Sequence, residues 1–321
     1  MLDSKHLHTL AAVISEQSFE KAAKSLFLTQ SAVSQRIRQL EETVGQMLVV
    51  RSSPVRPTPA GMAVLRHYRQ LKVLEEGLFE ELVPVDTADF VTVSLAVNAD
   101  SLDTWFLEAV REISRRERVV LDLVVDDQTV THEYLRSGEV QGAITSAPAG
   151  FQGLKTHVLG AMEYLCVAAP EFARRHFAGG FDVQAAGSAP GVIFNHRDRL
   201  HHDFLASRFG ESAPCPPLHA MPSTTSFLRA ILDAAAYGMV PRILAQEHLS
   251  AGALVNLTPE SRLTVPHFYQ HWTLQSALCE RIAQIILGTA RKRLVPLPQG
   301  SSIRDAAEGA DLPAAQPRFR G

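Results

Sequence analysis

The sequence predicts a multidomain α+β protein: a small helical N-terminal module, a long connecting helix and a larger α/β domain. Three observations carry that expectation. Helical periodicity with cap residues fills the first sixty residues. An apolar stripe at helical spacing then runs from 59 to about 82, and beyond 88 period-two strands alternate with helices. A length of 321 residues asks for two or three domains, and 46% apolar with 20% charged residues excludes a fibrous or globally disordered chain.

In the first module Leu7, Leu10, Ala11 and Ile14 recur at i, i+3, i+4, i+7, one helix face. Ser18 is placed to cap a second helix carrying Phe19, Ala22, Ala23 and Leu26, and after Phe27-Leu28 Thr29 is placed to cap a third. That helix buries Val33, Ile37, Leu40 and Val44, and Gly45 ends it. Two short β-prone pieces, Leu48–Arg51 and Val55–Thr58, form a small hairpin or wing. The next helix lines up Val64, Tyr68, Leu71, Leu74, Leu78 and Leu82, a stripe long enough for a dimer seam, and Pro84-Val85-Asp86 reads as a hinge.

The α/β part opens with Val91, Val93, Leu95 and Val97 alternating with polar or small residues, followed by a helix face at 102–113. Further strands are expected at 119–125, 140–145, 157–168, 191–194, 238–240, 253–257 and 266–272. Helices are expected at 131–137, 200–208, 225–236, 242–249 and 275–293. Such alternation implies a parallel or mixed sheet split into two lobes around a cleft. The Pro-, Gly-, Ala- and Ser-rich tail from 296 is expected to be disordered. The domains are therefore 1–58, a linker and hinge at 59–88, 89–295, and the tail 296–321.

No run of about 18 apolar residues offers a spanning helix, and the charged start, with Asp3 and Lys5, does not suit a signal peptide, so a cytoplasmic location is expected. Cys166, Cys215 and Cys279 are far apart, which offers neither a disulfide framework nor a zinc site. The net charge is −3, yet residues 1–58 hold seven Lys+Arg against five Asp+Glu, or +2, leaving −5 on the other 263 residues. The placement of charge, not its sum, decides whether nucleic acid is a partner.

Opposite the buried line of the third helix stand Ser31, Ser34, Gln35, Arg38 and Glu42, with Gln30 at its N-terminal edge. Short hydroxyls allow close approach to a major groove, Gln pairs with adenine, and Arg reaches guanine or phosphate. Taken by spacing alone, the same face also fits an ordinary solvated surface. The ordered series Ala22-Ala23, Leu26, Thr29-Gln30-Ser31-Ala32-Val33-Ser34-Gln35-Arg36-Ile37, Leu40-Glu41, Gly45, Leu48, Arg51 and Thr58-Pro59-Ala60-Gly61 goes further. It resembles the winged helix-turn-helix of LysR-type transcriptional regulators, continuously from about 7 to 61. The resemblance implies base-edge or nearby contacts from Gln30, Ser31, Ser34 and Gln35, and backbone contacts from Thr29, Arg36, Arg38, Arg51 and Arg56. It further implies a dimerisation helix, a two-lobed α/β effector domain of the periplasmic-binding-protein type, and commonly a dimer of dimers. The implied partners are double-stranded promoter DNA, a second copy and, in activation, RNA polymerase; no membrane is implied.

Ligands of two-lobed α/β domains sit at strand ends against helix N-termini. Three loops qualify: Asn98-Ala99-Asp100-Ser101 leading into Thr104-Trp105, Asp126-Asp127-Gln128-Thr129, and Thr145-Ser146. Hydroxyls and helix amides suit a carboxylate, and the acids suit ammonium or guanidinium groups, so together they point to a basic amino acid. Taken singly, each Asp is better read as a cap or turn residue.

A closer resemblance lies in Phe19-Glu20-x-Ala22-Ala23, Gly45-Gln46-x-Leu48-Val49-Val50-Arg51, Ser94-Leu95-Ala96-Val97-Asn98-Ala99-Asp100-Ser101-x-x-Thr104-Trp105, Arg136-x-Gly138-Glu139-Val140-x-Gly142-Ala143 and Leu257-Thr258-Pro259. Over roughly 5–293 these resemble the lysine- and arginine-responsive branch of that family, which controls export or synthesis of basic amino acids. One departure stands out. Several relatives carry an acid where this chain reads Ser223-Thr224-Thr225-Ser226, so lysine, arginine and other small ligands all stay open. The candidate effector residues are Asn98, Asp100, Ser101, Thr104, Trp105, Asp127, Thr145, Ser223 and Thr224, with no cofactor and no metal. An enzyme finds little support: Gly-x-Ser-x-Gly, the phosphate-binding loop and the dinucleotide fingerprint are missing. His267 and His271 share a strand face about 13 Å apart, too far for one metal, and the loop histidines 196–202 match no metal motif. A stand-alone solute-binding protein fails on the start of the chain and on the N-terminal module.

Overall fold

The computed structural model describes residues 2–82, 90–126, 134–135, 137–146, 153–273 and 276–297. The N-terminal module consists of α1 (Ser4–Ser15), α2 (Phe19–Ser25), α3 (Gln30–Val44), β1 (Val49–Val50) and β2 (Arg56–Pro57). Each helix begins at a side-chain cap, Asp3, Ser18 and Thr29 accepting from Lys5, Lys21 and Ala32 N–H respectively. The small pair Ala22-Ala23 lets α2 lie close to α3, and Leu7, Leu10, Val33, Ile37 and Leu40 fill the centre. The left-handed Gly45 (φ +75°) closes α3.

The buried face of α3 differs from expectation by one residue. Val44 is half-exposed, whereas Glu41 is buried at 7% exposure and accepts a 2.9 Å hydrogen bond from Leu48 N–H. Glu41 thus anchors the entry to the wing, a task an apolar side chain cannot perform. Thr58 ties the wing's exit: its hydroxyl donates to Met47 O at 2.7 Å and accepts from Gly61 N–H at 3.0 Å. A Cβ on Gly61 would stand 1.9 Å from Leu48 O, so glycine lets the next helix start against the wing.

That helix, α4 (Pro59–Leu82), splits its apolar stripe between two uses. Val64, Leu65 and Tyr68 are buried in the N-terminal core, while Leu74 and Leu78 are 39% and 55% exposed. Farther along, Arg69 donates to Ser137 O at 2.8 Å, and the Arg66 guanidinium sits 5.9 Å from the Trp272 ring centre, so α4 also touches the C-terminal region. Leu82 is described in backbone only, and the hinge at 84–86, the helix at 131–137 for the most part, and the tail from 298 lie outside the described residues.

The C-terminal region opens with β3 (Val91–Asn98), α5 (Ala99–Ser101), a π-helical turn (Leu102–Phe106), α6 (Leu107–Arg116) and β4 (Val119–Asp126). β3 and β4 are parallel over eight residue pairs, the right geometry for a βαβ unit. After β5 (Gly142–Thr145) comes the 15-residue β6 (Leu154–Ala168), which starts earlier than expected. Then follow α7 (Pro170–His176) and α8 (Val183–Ser188), two short helices without a readable period, and β7 (Gly191–Ile193). The remainder is α9 (Leu200–Phe209), β8 (Leu218–Ala220), α10 (Thr224–Leu232), β9 (Gly238–Pro241), α11 (Arg242–Ser250), β10 (Val255–Asn256), β11 (Leu263–Trp272) and α12 (Ala277–Arg293).

The mixed sheet runs β10-β6-β11-β5-β3-β4, with β9 also on β6. The long antiparallel pair β6–β11 serves both halves of this region. On one half, Trp105, Phe106, Ala109 and Ile113 pack with Ile282 and Ile286 of α12; on the other, Val192, Ile231, Val240 and Ala245 pack with Val167. The open ends of β3, β7 and β9 face the same cleft.

Candidate nucleic-acid interface and ligand cleft

On α3, Gln30, Ser31, Gln35 and Arg38 are exposed and Ser34 is half-exposed, so the expected face is presented as one surface. Thr29 at its start caps Ala32 N–H at 3.2 Å and shares a 3.0 Å hydrogen bond with the Ser31 hydroxyl. The first-turn amides that this cap leaves without an intrahelical partner suit a phosphate, as at any helix start. Arg36 sits apart from this group: it is half-buried and donates to the Thr9 hydroxyl at 3.4 Å, so it braces α3 on α1. Arg56 stands exposed on β2, and exposed Arg51 lies 5.2 Å from the Phe19 ring centre, held beside the base of the wing by a cation–π contact.

The cleft holds a cavity of about 60 Å³ and is open to solvent. Asn98, Ala99 and Asp100 at the end of β3 line one side. Across from them come Phe194, Asp198 and Leu200 between β7 and α9, and Thr224, Phe227 and Leu228 of α10. Met239, Val240 and Pro241 of β9 and Leu244 of α11 complete an apolar wall. Asn98 is only 4% exposed, and its Oδ1 has no hydrogen-bond partner; the buried Thr224 Oγ1 has none either. Asp100 Oδ2 accepts from the buried Tyr164 hydroxyl at 2.7 Å. Both Asp198 oxygens are fixed by backbone N–H groups, Phe194 and Leu200, each at 2.9 Å.

Of the nine candidate effector residues, Asn98, Asp100 and Thr224 therefore meet in the cleft. Ser101 and Trp105 are fully buried behind it, Trp105 edge-on to Phe106 in the core. Thr104 donates its hydroxyl to Asp100 O at 2.6 Å and stabilises the turn into the π-helical segment. Thr145 is buried at the end of β5, paired with Phe268, and Ser223 is the exposed cap of α10. Asp127 lies outside the described residues. Asp198, Phe194 and Tyr164 were not foreseen. The rule that found Asp100, an acid just past a strand end, applied to the strand at 191–193 would have found Asp198.

The histidines make no metal centre: among the described residues no three His, Cys, Asp or Glu gather as a metal would need. Instead His271 Nε2 lies 3.0 Å from His157 Nε2, while its Nδ1–H donates to Trp272 O. His201 and His267 are buried, and burial pushes both down to about 4. Cys166 is fully buried and burial raises its thiol, which removes it as a nucleophile at neutral pH.

Known proteins match this arrangement over most of its length. Residues 4–62 match the bacterial regulatory helix-turn-helix protein, lysR family, and residues 91–286 the LysR substrate binding domain. The chain is 38% identical to the HTH-type transcriptional regulator ArgP of Vibrio vulnificus (strain YJ016), covering 91% of this chain and 98% of that protein. The ArgP crystal structure from Mycobacterium tuberculosis superposes with a TM-score of 0.84 at 36% identity, over 92% of this chain and 100% of the other. Full-length LysG from Corynebacterium glutamicum with bound effector Arg gives 0.76 at 29% identity, again over 92% and 100%. With a matched helix-turn-helix, a matched effector domain and relatives that share both in the same order, the chain belongs to the LysR family of DNA-binding transcriptional regulators and is not an enzyme.

Proposed function

We propose that this regulator senses a basic amino acid, lysine or arginine, in the cleft between β3, β7 and β9, and controls genes for basic amino-acid export or metabolism. The observation that carries the reading is the pairing of two carboxylates, Asp100 and Asp198, with the buried, unpartnered amide oxygen of Asn98 in one apolar-walled cleft. A buried polar atom without a partner costs about 1–3 kcal/mol, which a bound ligand recovers. The arginine in LysG and the ArgP names of the relatives agree with this chemistry.

Promoter DNA is read by Gln30, Ser31, Ser34 and Gln35 and held by Thr29, Arg38, Arg51 and Arg56. Residues 1–58 form the DNA module, 59–88 the linker and 89–295 the effector domain. The exposed Leu74 and Leu78 give α4 a seam for a second copy, from which a dimer of dimers is assembled. Activation at a promoter then involves RNA polymerase, in the cytoplasm on the nucleoid. Effector closure of the cleft reaches α4 through the Arg69–Ser137 and Arg66–Trp272 contacts. A LysR-type regulator of a different small metabolite is the second reading, favoured by the hydroxyl run Ser223-Thr224-Thr225-Ser226 in place of an acid.

Titration of lysine and of arginine into the full-length protein by calorimetry tests the proposal. Heat from at least one, together with a changed pattern of promoter fragments bound, is the expected result; heat from neither removes the effector assignment.

A further inference from the structure

We propose that Phe27, in the turn between α2 and α3, is a further DNA-reading residue, which packs its ring on the 5-methyl group of a thymine at the edge of the major groove. This rests on the reading of α3 as the helix that enters the groove, and it adds an apolar contact to the polar ones.

Phe27 stands apart from its neighbours. Leu26 and Leu28 both pack on the core of the N-terminal module, while Phe27 between them is 96% exposed. The backbone explains the reversal. Phe27 has φ +55°, in the left-handed region, so the chain turns there and throws the side chain outward. The turn is pinned on both sides, Phe27 N–H donating to Lys24 O at 3.2 Å and Leu28 N–H to Ala23 O at 2.9 Å. Glycine or asparagine takes such a conformation readily, whereas a bulky side chain is an outlier in it. In the protein alone the ring therefore brings a strained backbone and buries almost no apolar surface. Folding does not call for it, and backbone strain of this kind collects where a ligand is bound.

The position names the ligand. Two residues on, Thr29 caps α3, and Thr29, Gln30 and Ser31 are exposed in succession. Two residues of chain span at most about 7 Å, so the ring stands at the rim of whatever receives the first turn of α3. For a LysR-family regulator that is duplex DNA. A phenyl ring has no charge for a phosphate and no donor or acceptor for the polar edges of the bases. The apolar group that a duplex presents in its major groove is the methyl of thymine. Such a contact specifies sequence without neutralising a phosphate, so it leaves the salt dependence of binding alone.

The test uses the full-length protein and a duplex that it selects from a random-sequence pool. Thymines of that duplex are replaced one at a time by uracil, which removes the methyl group and keeps the pairing edge. Burying one methyl group changes an equilibrium about fourfold. At one thymine or more, uracil should therefore cost the wild type about fourfold, and Phe27→Gly less than about 1.5-fold. Phe27→Asn, which also accepts the left-handed turn, should lose the same sensitivity, so that a turn loosened by glycine is not mistaken for a lost contact. Both variants should bind the unmodified duplex more weakly, by about fivefold, with the wild-type slope of log K against log salt. Hydrogen exchange across residues 19–44 should not quicken in Phe27→Asn, since no packing is lost. A duplex in which every uracil replacement costs wild type and variants equally overturns the contact. Unchanged affinity in both variants overturns it too and turns the ring towards a protein, and quickened exchange makes it a folding residue instead. In each of those cases a loss of promoter binding in Gln35→Ala leaves the reading of α3 standing; if Gln35→Ala binds as the wild type does, that reading falls as well.

Discussion

The proposed DNA-reading face and the proposed effector cleft are built on opposite plans. The first takes Gln30 to Arg38 from a single helix, and its tips are already in contact with solvent. The second draws on six elements and a loop between Asn98 and Leu244, and it hides polar atoms that find no partner in the protein. A solvated face gives up little when it is empty, so its affinity is a sum of contacts and depends on salt. A cleft with buried unpartnered atoms is under-satisfied until a ligand arrives, so it is the half that can respond to one. The division extends to titration. The histidines that burial pushes down to about 4, His201 and His267, both lie in the effector domain.

Acid should therefore separate the halves, and this is the largest effect expected. Below pH 6.5 the unfolded chain binds protons that folded His201 and His267 do not take up until about pH 4. Effector-domain stability is fully present above 6.5 and falls through that window, by on the order of 3 kcal/mol per histidine. The chain has two tryptophans, Trp105 and Trp272, both in the effector domain, so fluorescence follows that half alone. Its melting temperature should drop steeply between about pH 7 and pH 4.5; an unchanged melting temperature breaks the comparison.

Trp105 sharpens it next. The sequence places this residue among the effector contacts, yet it is fully buried against Phe106. Trp105→Ala should cost about 3–5 kcal/mol of effector-domain stability, as deletion of a large core side chain does. Trp105→Phe should leave arginine or lysine affinity within threefold. A tenfold loss of affinity in a stably folded Trp105→Phe would return the residue to the ligand.

The same contrast explains what was legible in the sequence. The α3 face was readable because one helix with a known buried line fixes its other side at 100° per residue. Even there Glu41 took the place expected of Val44, since a hydrogen bond to Leu48 N–H leaves no trace in an apolar pattern. Arg36, expected on the DNA backbone from the resemblance, also reaches Thr9, 27 residues away in the chain, a contact that no local pattern shows. In the cleft, strand-end reasoning found Asn98 and Asp100 because they follow a clear period-two strand. It missed Asp198 although the strand before it was expected, because Asp198 stands five residues beyond the end of β7, in a loop whose turn into the cleft leaves no mark in the pattern. Apolar lining residues such as Phe227 and Met239 read as core until the fold turns them towards a common space.

Of the smaller effects, the first concerns base reading. Gln35 is exposed on the middle of α3, where a bidentate contact to one base is worth about 1–3 kcal/mol. Gln35→Ala should weaken binding to the specific promoter by that amount, leave nonspecific binding within twofold and leave the calorimetric heat of the effector untouched. Gel-shift titrations on specific and scrambled fragments check it, and equal losses on both would remove Gln35 from base reading.

Arg51 marks the smallest effect and the clearest difference in kind. It sits at the wing beside Phe19, exposed, and the +2 balance of residues 1–58 is too small for bulk charge to hold DNA. Each phosphate contact must then count individually. Arg51→Ala should lower affinity for specific and nonspecific DNA alike and reduce the slope of log K against log salt by about one per bound module. The exposed cation–π contact contributes only about 0.5–1 kcal/mol to folding, so thermal stability should barely move. A salt slope identical to the wild type would place Arg51 off the backbone, as a brace for Phe19 alone. Effector binding should be the same in both proteins, because nothing in the cleft depends on a residue whose work is done in solvent.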